Sequence, residues 1–133
     1  MTPMTALLAF AAWTLLLVVL VLAYRSVRIL GGVPANAWTR GKATADPEWV
    51  TRLTHAHLNC LENLPIFAVI VLVAGVEDKT AAIAALAPWV FYARVVQSCV
   101  HLVGVNAPLV TVRGTFWIAQ VVLFAVMFAR LFG

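Results

Sequence analysis

The sequence predicts an all-α integral membrane protein folded as an up-down bundle of four transmembrane helices. Composition is the first reason: 64% of the 133 residues are hydrophobic and only 11% are charged, against averages of about 45–50% and about 25% in soluble domains. The second is the presence of four apolar stretches, each near the roughly 20 residues that a bilayer core requires. The third is the short connection between spans two and three and between three and four, which forces sequential helices to lie antiparallel as neighbours. Residues 1–133 therefore read as a single membrane domain, with spans at about 4–30, 47–75, 80–103 and 109–132.

The first stretch, Met1 to Tyr24, carries no charged side chain. It lacks the basic leading region of a signal peptide and is longer than the usual apolar core of about 7–15 residues, so it reads as a permanent helix. Gly31-Gly32 should stop it, with Pro34 closing off any continuation. The one substantial loop, GGVPANAWTRGKATA, follows. A second helix is expected at Asp46-Pro47-Glu48, with Asp46 as N-cap, Pro47 at the first helical position and Glu48 at the positive end of the dipole. Run to Gly75, that helix is about 43 Å long at about 1.5 Å per residue, so its first turns should stand in the interface. Pro65 removes one backbone donor within it. VEDKT leads into the third span and GVNAP into the fourth.

Basic residues set the expected topology. Arg25, Arg28, Arg40, Lys42 and Arg52 lie between spans one and two, and Arg113 lies just beyond span three, whereas VEDKT is acidic on balance. The loops joining spans one to two and three to four are thus expected in the cytoplasm, with both termini outside it. The basic residues form no tract with interleaved aromatics, which argues against nucleic-acid binding. Cys60 and Cys99 form no CxxC pair and read as buried thiols. No metal-ligating set stands out. Trp13, Trp38, Trp49, Trp89 and Trp117 read as belt or packing residues.

Chemistry is expected on two polar stripes. On a wheel of about 100° per residue, Arg52, His55, Asn59, Glu62 and Asn63 share an arc of about 100° on span two, while His57 points elsewhere. Span three repeats the pattern with Arg94, Gln97, Ser98 and His101. Charged groups inside a membrane are expensive and normally face a partner, a cavity or a functional site. Three readings stay open: an ion pair of Glu62 with Arg94 or Arg52 that fixes the bundle, a pocket for a polar ligand entering from the interface, or a proton or drug path through Glu62.

HAHLNCLENLPIF, residues 55–67, resembles the second-helix motif of the MAPEG superfamily, the membrane-associated proteins in eicosanoid and glutathione metabolism. The likeness is nearest to the microsomal glutathione transferases and their bacterial relatives. It implies a homotrimer of four-helix subunits that binds glutathione between neighbours while a lipophilic small molecule arrives from the membrane lipids. It implies a transferase or peroxidase acting on lipophilic electrophiles or hydroperoxides, and a place in the bacterial inner membrane. Carried over by the resemblance, Asn59 and Glu62 would hold the polar backbone of glutathione, Arg28 a carboxylate, and His101 would stand where a tyrosine is common. The arginine held to stabilise the thiolate falls near position 110, which is Val110 here; Arg113, three positions on, is the catalytic candidate. Arg52, His55, Arg94 and Gln97 would support the site. His55, Leu58, Gln97 and His101 depart from the family pattern. A non-catalytic scaffold or accessory subunit with this fold is the main alternative, and a small proton-coupled transporter using Glu62 a further one.

Overall fold

The computed structural model describes every residue except Arg40, Lys42 and Thr44. It is all-helical among the described residues, with α1 (Pro3–Leu30), α2 (Glu48–Val76), a short α3 (Thr80–Ile83), α4 (Ala87–Val103) and α5 (Ala107–Phe132). Four helical stretches are long and apolar enough to cross a membrane, with α3 and α4 together forming the third. The protein is an integral, multi-pass membrane protein built as a four-helix bundle. Two of the basic residues behind the expected topology, Arg40 and Lys42, lie outside the described residues.

Local chemistry explains where the helices start and stop. The hydroxyl of Thr2 accepts from the Thr5 amide at 3.1 Å, and Pro3 occupies the first turn of α1 without leaving a donor unpaired. At the other end the Gly31 amide donates to Val27 O and the Val33 amide to Arg28 O, both at 3.0 Å. The chain turns away through Gly32 at φ +95°, a conformation that costs glycine nothing sterically. Asn106 caps α5 by accepting from the Leu109 amide at 3.1 Å.

The start of α2 differs from the sequence expectation. Asp46 does not cap it: Pro47 is the N-cap residue, with no side-chain hydrogen bond. The Asp46 carboxylate instead accepts from Trp38 Nε1 at 2.8 Å, a contact eight residues back that pins the loop to the helix. α2 then runs without interruption through Pro65. The third hydrophobic stretch is two helices with a turn at residues 84–86. Pro88 accounts for the break, since its ring clashes with the carbonyl four residues earlier and it has no N–H to donate there.

α1 packs against α2 and α4, and α4 against α5 and α2. An aromatic column crosses the interior, with Phe10 and Phe67 rings 5.9 Å apart and Phe67 and Phe124 6.2 Å apart. Ala6, Ala56, Ala74, Ala87 and Ala93 are buried between helices, where small side chains let backbones approach closely in lipid. Leu15, Leu22, Val69, Ile118 and Val122 stay on the outer surface, where hydrocarbon replaces water. One end of the bundle gathers Arg25, Arg28, Arg52 and Arg113. At the opposite end the Lys79 ammonium donates to Leu131 O at 2.8 Å and Arg130 to Ala82 O at 2.9 Å.

Candidate functional site

The polar stripes of α2 and α4 meet at the basic end of the bundle. Arg52 Nε donates to the Leu102 carbonyl at 3.1 Å, tying the start of α2 to the close of α4. Its Nη1 pairs with Glu48 at 3.3 Å, the only ion pair among the described residues. One turn further along α2, the His55 ring lies 6.1 Å from that of His101. His101 is buried, and the Arg113 guanidinium of α5 donates to its Nδ1. A guanidinium can only donate, so Nδ1 must be the acceptor and the ring proton sits on Nε2. That Nε2 is buried and has no partner among the described residues.

One turn before His101, the buried Gln97 amide accepts at Oε1 from Gln120 Nε2 at 3.1 Å. Gln120 lies fully inside the bundle, and the same Nε2 donates to the Phe116 carbonyl at 3.0 Å. Beside this ladder a cleft of about 290 Å³ opens between α2, α4 and α5, lined by Asn59, Gln97, Arg113, Gly114, Trp117 and Ile118. A Cβ at Gly114 would meet no atom within 4 Å, so glycine leaves the wall of the cleft open. Three of the residues expected from sequence, Asn59, Gln97 and Arg113, therefore share one cleft. A fourth, His101, is bonded to its arginine.

The remaining candidates lie elsewhere on the protomer. Arg28 lines a separate cleft of about 270 Å³ with Val33, Trp38 and Asp46, where the Arg25 guanidinium stacks 5.6 Å from the Trp38 ring centroid. Arg52 and His55 border a third cleft, of about 260 Å³. Glu62 stands on the outer surface of α2, midway along the helix. It pairs with neither Arg94 nor Arg52, so the ion-pair reading of the stripes is corrected: Arg52 takes Glu48, and Arg94 points inward while Glu62 points out.

Arg94 is 0% exposed, and none of its three guanidinium nitrogens has a hydrogen-bond partner among the described residues. The guanidinium lies over the face of Phe10, 5.5 Å from the ring centroid. Cys60 packs nearby with Sγ 3.8 Å from Ser98 Oγ, and Ser98 in turn donates to the Arg94 carbonyl at 2.9 Å. Cys99, expected to be buried, is exposed on the outside of α4. His57, off the main stripe, faces α1, with Nδ1 3.3 Å from the Thr14 carbonyl.

Gln120 and Gly114 are not among the residues expected from sequence, and Trp117, expected only as a belt or packing residue, lines the cleft. A signal for Gln120 existed: it is the lone amide in an apolar span, and it stands seven residues after Arg113, about two helical turns, hence on the same face.

The family model described as the MAPEG family matches residues 3–133. No curated protein and no solved structure matches the chain.

Proposed function

The chain belongs to the MAPEG family, and on that premise we propose that it is a membrane glutathione transferase or peroxidase acting on lipophilic electrophiles or hydroperoxides. The observation that carries the reading is the single cleft shared by Asn59, Gln97 and Arg113, with Arg113 also held by His101. Arg113 is the catalytic residue in this proposal. A thiol is nucleophilic only as thiolate, its ordinary pKa is near 8.5, and an adjacent guanidinium favours the ionised form. Arginine suits the task because it stays protonated and offers several donors in a fixed fork. The thiol proton leaves to interfacial water, and the sulfur electron pair forms the new C–S bond as the leaving group departs. With a hydroperoxide the sulfur attacks oxygen instead, breaking the O–O bond, and a second glutathione completes the disulfide. Trp117 and Ile118, exposed on the bilayer side of the cleft, give a lipophilic substrate its route from the membrane.

Asn59 and Glu62 would hold the glutathione backbone, Glu62 through its amino group, while Arg28 would take a carboxylate and Arg52, His55 and Gln97 support the site; Arg94, sealed in the core, does not line the cleft. Arg28 and Glu62 lie outside the Asn59–Arg113 cleft of the protomer. Their participation requires a second subunit, and a homotrimer with glutathione between neighbours supplies it. A carboxylate facing outward in mid-span is costly against lipid, which favours such an interface. Residues 1–133 act as one membrane domain, with the basic end in the cytoplasm, both termini outside it, and the bacterial inner membrane as the site of residence.

A scaffold or accessory role is the second reading, favoured by one contact: Arg113 is already bonded to His101 and could serve only as a clamp between α4 and α5. Equilibrium glutathione binding and sedimentation of the detergent-solubilised protein separate the two. The enzyme reading predicts saturable binding by a trimer, weakened about tenfold or more in Glu62→Gln by loss of a charged hydrogen bond. A trimer that binds no glutathione would leave the scaffold reading standing.

A further inference from the structure

Gln97 departs from the family motif, and Gln120 belongs to no part of it. Yet the two form a fully interior amide ladder at the floor of the cleft. The polarity of that ladder follows from chemistry. The Phe116 carbonyl can only accept, so the Gln120 atom facing it at 3.0 Å must be the NH2 group. The same NH2 faces Gln97, so Gln97 must offer its oxygen there. An amide has two edges; with Oε1 turned inward, the NH2 of Gln97 is the edge left for the cleft. Gln120 pays a cost for this arrangement, because its own Oε1 is buried with no partner among the described residues. A glutamine kept only for packing between α4 and α5 has no reason to be held with an empty acceptor.

We infer that Gln120 is a positioning residue which fixes the Gln97 amide donor-outward, so that the cleft presents N–H groups from Gln97 beside the N–H groups of Arg113 and selects an anionic, acceptor-rich ligand. The inference rests on the glutathione reading for its ligand and deepens it, since the carboxylates and thiolate of glutathione are such acceptors. Gln120 touches no ligand. It acts through Gln97.

The test is a double-mutant cycle on glutathione affinity in the detergent-solubilised full chain, with folding checked by helical melting. Gln120→Met removes the donor that orients Gln97, and Gln97→Met removes the oriented group. Gln120→Met alone should weaken glutathione about tenfold, the size of one charge-assisted hydrogen bond. In the Gln97→Met background the same change should matter less than about twofold, because the residue through which it acts is gone. Gln120→Glu, which accepts from Gln97 and so turns its oxygen to the cleft, should weaken binding more than Gln120→Met does; where it fails to fold, the cycle alone carries the test. Equal losses in both Gln97 backgrounds, or no loss in the native background while the parent protein binds, would overturn the inference and leave the proposed function intact. A parent protein that binds no glutathione overturns the proposed function, and this inference with it.

Discussion

Arg94 and Gln97 sit less than one turn apart on α4, both almost fully buried, and their surroundings are opposite. Gln97 faces α5, which supplies Gln120 and, at the level of His101, Arg113. Arg94 faces α1 and α2, which supply a phenyl ring and a thiol but no acceptor that meets its guanidinium. The lower level is two hydrogen-bonded pairs beside an open cleft, whereas the upper level is a cation sealed in with no hydrogen-bonded counter-charge. Burial alone therefore does not say which polar residue of a span is equipped for chemistry. What the facing helix offers decides it. A hydrogen-bonded group next to space can act on a ligand, and a sealed cation with no partner is a cost that packing and distant charge must offset.

The largest effect should come from the lower level. Replacing Arg113 with alanine removes the one cation in the cleft and should slow conjugation of an aryl halide by about 10²–10³, the usual loss when a preorganised donor to a developing anion is deleted. A rate within a few-fold of the parent would place the chemistry elsewhere. At the upper level the sign should reverse. Arg94→Leu removes an unpaired buried charge and should raise stability by about 1–3 kcal/mol, read as a higher melting temperature in detergent. Cys60→Asp, placing a carboxylate where Sγ now lies beside Ser98, should stabilise in the same direction. A marked loss in both variants would mean that Arg94 has a partner which the protomer does not contain.

Gly114→Leu sharpens the comparison from the other side. Its Cβ would enter open space, so the side chain should occupy the cleft without displacing the bundle. Glutathione binding should weaken about tenfold, while melting is unchanged or slightly raised by the gain in helix propensity. Cys99→Ser, on the outer surface of α4, should shift stability by no more than about 0.5 kcal/mol. The two thiols should also differ in labelling, with a membrane-permeant maleimide modifying Cys99 and sparing Cys60.

Much of the architecture was legible because its determinants are local. Apolar run length, the Gly31-Gly32 stop and the prolines near helix starts depend on neighbours in sequence. The departures involve contacts that sequence spacing does not encode. Asp46 looks like a cap until Trp38 is seen to take its carboxylate. Glu62 and Arg94 look like a pair because each lies on a polar stripe, but a helical wheel has no reference direction shared between helices. The structure turns Arg94 inward and Glu62 outward. The second-helix motif led to Asn59 and to the family, and proximity alone singled out Arg113 when Val110 held the expected place. The cleft then gathered Asn59, Gln97 and Arg113 from three helices, a convergence that no single stripe could display.

The role proposed for Arg113, stabilising a bound thiolate, is open to direct test. The most direct measurement is the ultraviolet absorbance of glutathione thiolate on the purified protein, titrated across pH in the parent and in Arg113→Ala. Bound glutathione should ionise below the pH at which free thiols ionise, about 8.5, and return toward that value in Arg113→Ala. Bound glutathione that ionises like free thiol in both proteins would contradict it, and Arg113 would then be a clamp between α4 and α5.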